Sequence, residues 1–281
     1  MRRVARILVA IPAVLFSIAW YAYLTLPDVR PLRDANPSTT AFIELRAREA
    51  RRRGARPRRV QVWMPYNRIS EQLKRAVLAA EDSAFWEHEG VDLEQLQKSM
   101  EINLERGTVT RGGSTITQQL AKNLFLSPSK DPMRKFRELL IARRLEAELS
   151  KRRILEIYLN VIEWGDGVYG AEAAARTYFG RSSSSLSGPD SALLAGAIIN
   201  PRVYSPARPN ARLRSRQRLI LRRMRYVEPP PPAPVTIPPP ELLDVEPIPV
   251  APGDILPGEP LPSRPLPPVR PIPREPPPAD R

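Results

Sequence analysis

The chain has 281 residues, enough for one large domain or two small ones. Lys and Arg outnumber Asp and Glu by 44 to 30, a formal charge of +14, which points to an anionic partner: nucleic acid, anionic lipid or a phosphorylated substrate. With no cysteine and one histidine, the chain has no disulfide, thiolate zinc site or Cys nucleophile, and a Ser-His-Asp triad or a His-rich metal site is disfavoured.

Arg2, Arg3 and Arg6 precede an uncharged run from Ile7 to Pro27. That run matches the roughly 20 residues needed to cross a bilayer. It exceeds the ~7–15 residues of a signal-peptide apolar region. The arginines favour a cytoplasmic N-terminus, and Trp20, Tyr21 and Tyr23 sit where an aromatic belt would lie. Residues 1–6 are therefore expected in the cytoplasm and 7–27 as an uncleaved signal anchor of the inner membrane, with the remaining chain outside, on the periplasmic side. A cleaved signal peptide is the alternative. Residues 28–59, with "LRAREARRRGARPRR", read as a basic, solvated juxtamembrane stalk. Attraction to anionic headgroups adds on the order of 1 kcal/mol per basic residue.

From residue 60 the pattern becomes that of a folded, almost wholly helical domain, extending to 226. Val60, Val62 and Met64 alternate with Gln61 and Trp63, one short strand ended by Pro65. Ile69, Leu73, Ala76, Val77 and Ala80 then follow helical spacing, with Ser70 at the N-cap position and Glu81 and Asp82 at the end. Further helices are predicted at 93–105, 115–123, 132–148, 151–160, 169–179, 191–199 and 211–225, with Pro132 suited to a first turn. Residues 227–281 hold about two-thirds of the 34 prolines. Such a segment forms neither helix nor core and reads as a disordered, partly polyproline II tail, a spacer or a ligand for a partner.

Within this frame, three stretches carry groups suited to chemistry. In "EDSAFWEHEG", Glu81 stands at the C-terminus of an apolar helix, where the dipole disfavours negative charge, and Phe85 and Trp86 would desolvate it further. Both effects raise a carboxyl pKa toward that of a general acid or base. On pattern alone, Glu81 and Asp82 serve equally well as a cap or salt bridge. His88 more readily makes one structural hydrogen bond that fixes the loop. In "GGSTITQQLAKN", Gly112 and Gly113 allow close approach. Ser114 or Thr115 caps a helix whose face offers Thr115, Gln118, Gln119 and Lys122, neutral donors plus one cation suited to sugar hydroxyls and a phosphate. The P-loop pattern is absent. In "RKFRE", Arg134, Lys135 and Glu138 fall within about a turn. They make either a surface ion pair or a second carboxylate beside two cations, which would suit a diphosphate leaving group.

These stretches, with "RRILEIYLNVIEWGDGVYGAEAAARTYFG" and "ALLAGAIINPRVYSP", make five motifs in order over residues 60–225. Together they resemble the peptidoglycan glycosyltransferase domain of glycosyltransferase family 51, in its monofunctional subgroup. The resemblance implies a mainly α, lysozyme-like fold behind an N-terminal transmembrane helix, with the Pro-rich tail as an addition. It implies an enzyme that polymerises lipid II outside the cytoplasmic membrane. Glu81 matches the catalytic base and Glu138 the second essential carboxylate. Lys122, Arg134 and Lys135 match cations that steady the donor pyrophosphate, with a divalent ion (Mg or Mn) as a candidate addition and no organic cofactor. Ser114, Thr115, Gln118, Gln119 and Asn123 match the polar wall of the cleft. Asp82, Phe85 and His88 shape the Glu81 loop, and Lys151, Glu156 and Asn160 stand in the next motif as cleft residues.

The implied partners are lipid II and the growing lipid-linked glycan, membrane lipids, and cell-wall synthesis or division proteins through the tail. Nucleic acid is not among them. Leu124, Phe125 and Leu126, flanked by Lys122 and Lys130, are the expected membrane-facing patch. No transpeptidase domain follows residue 225, and the tail has no SxxK. Two rivals remain at this point. A lytic transglycosylase would share the glutamate and helical cleft without needing the cation group. A membrane scaffold would need neither carboxylate.

Overall fold

We describe the fold from a computed structural model, whose described residues are 13, 16, 17, 20, 21, 23–105, 107, 113–127 and 131–227. Most of the expected anchor, Gly112, Lys130 and the tail beyond 227 lie outside them. Among the described residues no helix is long and apolar enough to cross a membrane.

The helices are α1 (Ala41–Arg52), α2 (Glu71–Glu81), α3 (Leu93–Glu105), α4 (Ile116–Phe125), α5 (Pro132–Glu148), α6 (Lys151–Val161), α7 (Ala171–Phe179), α8 (Gly188–Ala197) and α9 (Ala211–Arg223). The apolar spacing predicts them because each buries one stripe. In α6 the stripe is widest: Ile154, Leu155, Ile157, Tyr158 and Leu159 are fully buried, each contributing about 1.5–3 kcal/mol. Helix α4 packs on α5, α6 and α1, while α8 packs on α2 and α9.

Three short strands, β1 (Val60–Gln61), β2 (Glu163–Gly165) and β3 (Val168–Tyr169), form a sheet in the order β1-β3-β2. Here β1 runs parallel to β3 and β2 antiparallel to it. The expected strand is thus shorter than its alternation suggested, because beyond Gln61 a side chain takes over the backbone pairing. Asn160 accepts from Met64 N at 2.8 Å and donates to Met64 O at 2.9 Å, as a peptide group would. Gly170 (φ +83°) joins β3 to α7; a Cβ there would meet Asn160 O at 2.7 Å.

Residues 28–59 are not a solvated stalk. Val29 is fully buried, and Leu32, Thr40 and Ile43 are buried as well. Thr40 caps α1 through Ile43 N. Arg153 Nε donates to Leu32 O at 2.8 Å and Arg33 Nε to Glu148 O at 2.9 Å. The density of arginine disguised a helix whose few apolar residues are enough to dock it.

The membrane-facing patch expected at 124–126 also differs. Leu124 and Leu126 belong to the main core. A row of exposed apolar side chains stands instead on α3, at Leu93, Leu96, Met100 and Leu104.

Candidate active site

Two carboxylates organise the site, on different helices and in different company. Glu81 is the last residue of α2 and only half-buried. Its Oε2 accepts a hydrogen bond from Gln119 Nε2 at 2.9 Å. Tyr158 OH donates to Gln119 Oε1 at 2.8 Å, which leaves the amide only its donor to offer Glu81. Burial pushes the Glu81 carboxyl above its ordinary value. The Gln119 hydrogen bond, the Arg216 charge and the Lys122 charge pull it down, and Asp82 pushes it up. The prediction from the sequence was a raised carboxyl, through the helix end and neighbouring aromatics. The structure places Phe85 fully buried in the core, edge-on to Trp86 at 5.0 Å.

The loop after Glu81 is held from beneath. Asp82 is 1% exposed and accepts from Ile116 N at 2.9 Å, at the N-terminus of α4, where the dipole favours it. His88 Nε2 lies 3.0 Å from the same carboxylate. Gly90 N–H, which can only donate, reaches His88 Nδ1 at 3.1 Å, so the neutral ring carries its proton on Nε2. Thr115 caps α4 by accepting from Gln118 N and donates to Gly90 O at 2.7 Å, tying the two loops together. Lys151 Nζ donates to His88 O at 2.5 Å and Glu146 Oε1 at 2.8 Å, and stands 4.5 Å from the centre of the Phe85 ring. Asp82, Phe85, His88, Thr115 and Lys151 therefore support the loop; the Lys151 ammonium is turned to its underside.

Glu138 is buried between cations. Arg134 Nη1 reaches its Oε2 and Lys135 Nζ its Oε1, both at 2.5 Å. Lys135 also donates to Gln118 Oε1 at 3.1 Å and Ser114 Oγ at 3.3 Å. The second and third motifs thus meet in one network. Lys122 makes no hydrogen bond or ion pair with any described residue. Burial pushes its ammonium below its ordinary value; Glu138 and Glu81 oppose this, while Arg134 and Lys135 add to it. Asn123 donates to Gln119 O at 2.8 Å. Glu156 accepts from Trp63 Nε1 at 3.2 Å and pairs with Arg153, outside this cluster.

Three residues of the site escape a sequence reading. Tyr158 aims Gln119, Arg216 of α9 acts on Glu81 by charge, and Glu146 anchors Lys151 while accepting from Thr117 Oγ1 at 2.6 Å. Only Tyr158 left a trace, as a polar-tipped ring in the apolar stripe of α6.

A half-buried carboxylate facing a neutral amide, across from a cluster of cations around a second carboxylate, is the equipment of a group-transfer site acting on an anionic substrate. A model of the transglycosylase family matches residues 49–225, and the chain belongs to that family. It is 52% identical to a biosynthetic peptidoglycan transglycosylase of Nitrosospira multiformis over 189 residues, 67% of this chain and 82% of that protein. A protein of the same name from Janthinobacterium is 51% identical over the same shares, and one from Chromobacterium violaceum 48% identical over 70% of this chain and 86% of that one.

Proposed function

We propose that the protein is a peptidoglycan glycosyltransferase that polymerises lipid II into β-1,4-linked glycan and releases undecaprenyl diphosphate. The observation that carries this is the pairing of Glu81, on a neutral amide, with Lys122, whose ammonium has no hydrogen-bond or ion-pair partner among the described residues, beside Arg134 and Lys135. Glu81 takes the proton from the 4-hydroxyl of the acceptor N-acetylglucosamine. The oxygen attacks C1 of the donor N-acetylmuramic acid from the face opposite the diphosphate. The C1–O bond to the diphosphate breaks, its electron pair leaves with the lipid diphosphate, and the α-linkage inverts to β. Lys122, with Arg134 and Lys135 behind it, faces the charge that develops on the leaving group. Ser114, Gln118, Gln119 and Asn123 line the sugar path.

The described residues do not by themselves make a site for a divalent ion (Mg or Mn) at the diphosphate. Both Glu138 oxygens are taken by cations, and the described residues contain no group of three or more Asp, Glu or His that could hold a metal. We therefore derive no step through one.

A lytic enzyme of similar fold, acting on uncharged glycosidic bonds, has no use for three cations beside its second carboxylate. For placement we propose the inner membrane, anchored by residues 7–27, with the domain on the periplasmic side. The exposed stripe of α3 would meet the lipid tails of substrate and product. The tail from 227 onward is proposed as a contact for other cell-wall proteins.

The test incubates detergent-solubilised protein with labelled lipid II. Moenomycin-sensitive polymer is expected; cleavage of preformed glycan without polymer would overturn the proposal.

A further inference from the structure

One cavity lies away from both carboxylates, on the far face of α5. It measures about 680 Å³. Tyr23 and Leu26, at the end of the apolar N-terminal run, form one side; Arg143, Arg144 and Glu148 of α5 form another; Glu89, at the end of the Glu81 loop, closes it. The N-terminal side is fixed there, because Arg137 donates to Thr25 O at 3.0 Å and to Thr25 Oγ1 at 3.2 Å.

The charges in this cavity are of both signs and unevenly satisfied. Glu148 is paired with Arg33. Glu146, at the back, is held by Lys151 and Thr117. Arg144 is half-buried and makes no hydrogen bond or ion pair with any described residue. Arg143 and Glu89 are only loosely paired, at 3.9 Å, with side chains 62% and 84% exposed. A half-buried guanidinium with no hydrogen-bond partner among the described residues, its charge acting on Asp28 at longer range, is suited to a phosphate, which it binds through paired N–H donors. The Glu89 carboxylate is suited to an ammonium. Phe16, Trp20, Tyr21, Tyr23 and Leu24, in the same N-terminal run as the lining residues Tyr23 and Leu26, are all more than half exposed.

We propose that this cavity binds the headgroup of a zwitterionic phospholipid with a primary ammonium, its phosphate on Arg144 and Arg143 and its ammonium on Glu89. The acyl chains would run beside the exposed aromatic side chains, so the assignment rests on the membrane placement proposed above. The choice between headgroups follows from donors: a primary ammonium donates hydrogen bonds to a carboxylate, whereas a trimethylated one has none to give. The site also touches the catalytic loop. Gly90, next to Glu89, has φ +86° and packs so closely on α5 that a Cβ would meet Glu146 Cγ at 3.1 Å and Ala142 O at 3.3 Å. A headgroup held at Glu89 therefore steadies the segment that carries Glu81.

The test reconstitutes the full chain in vesicles of phosphatidylethanolamine with phosphatidylglycerol, or of phosphatidylcholine with the same share of phosphatidylglycerol. Native mass spectrometry reads which lipid is retained, and lipid II polymerisation reads the rate. Wild type should retain phosphatidylethanolamine over phosphatidylcholine by about tenfold and run faster in its presence. Glu89→Gln should abolish the preference, and Arg144→Gln should lower retention of both lipids, with thermal melting checking the fold. Equal retention of the two lipids by wild type overturns the site, as does a preference that survives Glu89→Gln or retention that Arg144→Gln leaves unchanged. Retention of phosphatidylglycerol or inorganic phosphate as strong as that of phosphatidylethanolamine reduces it to a plain anion site and overturns the ammonium assignment. If wild type makes no polymer in any vesicle, the proposed function fails, while lipid retention still decides this site.

Discussion

Glu81 and Glu138 are carboxylates of the same kind with opposite surroundings. Glu81 meets one neutral amide donor, and burial pushes its carboxyl up. Glu138 is buried more deeply, yet each of its oxygens is held by a cation. A base must have a lone pair free to take a proton and a conjugate acid that is not too strong. Glu81 meets both conditions. Glu138, with its lone pairs facing Arg134 and Lys135, serves to set the position of those cations.

The largest effect should come from removing the proposed base. Glu81→Gln keeps the shape and the partner Gln119 but cannot accept the proton. Polymerisation of lipid II is expected to fall by about 10²–10⁴-fold, the range for a lost general base. Folding should hold, because the substitution removes a charge that burial disfavours. A polymerisation rate equal to wild type would assign the base elsewhere.

Glu138→Gln attacks the other side of the contrast. It leaves two cations near each other with no anion between them. Removing one partner of a buried pair costs about 3–5 kcal/mol, with the lower end expected here because Lys135 is partly solvated. The urea midpoint should drop clearly, unlike that of Glu81→Gln, and activity should fall with it. Equal midpoints for the two variants would erase the distinction drawn between these sites.

The Glu81 environment can be tuned without touching the carboxylate. As a base with a raised pKa, it should give an acidic limb in kcat/KM above the ordinary carboxylate value of 4.5. The Gln119 hydrogen bond lowers that pKa, so Gln119→Leu should move the limb to higher pH; Tyr158→Phe, which frees the amide to turn, should move it less. The stability sign is opposite to that of a salt-bridged acid. In the window between 4.5 and the raised folded value, the folded state binds more protons than the unfolded one. The stability of wild type should therefore decline as pH rises through that window, and Glu81→Gln should flatten the decline. Denaturant melts across pH would check the sign.

Much of this contrast was legible before any coordinates. The helices at 93–105 and 132–148 have the predicted bounds; Asp92 and Asp131 cap their starts, and Pro132 fits a first turn. Motif order also named both glutamates. What sequence could not convey was which way a polar group turns. Lys151 and Lys122 look alike in the chain, yet one ammonium is tied to a loop carbonyl and the other has no partner among the described residues. Arg216 is one of six arginines in α9, and nothing in their spacing singles it out. The run 124–126 is apolar whether it faces a core or a bilayer, and only the packing of α4 on α5 and α6 decides. Helix α1 was missed for the converse reason, since its charge outweighed the two or three side chains that dock it.

Lys151 gives the smallest test and separates support from substrate contact. Its ammonium holds His88 O and Glu146, at 2.5 and 2.8 Å, on the side of the loop away from the cations around Glu138. Lys151→Met keeps an unbranched side chain of similar length and removes the ammonium with its hydrogen bonds and its contact with the Phe85 ring. The lost charge-assisted hydrogen bonds should lower stability by about 1.5–3 kcal/mol. The rate should fall through kcat, with KM for lipid II little changed, because what loosens is the aim of Glu81. Hydrogen exchange should quicken in residues 82–90 more than elsewhere. If instead KM rises while kcat and exchange in the loop stay constant, Lys151 touches the substrate after all, and the loop is held by Asp82, His88 and Thr115 alone.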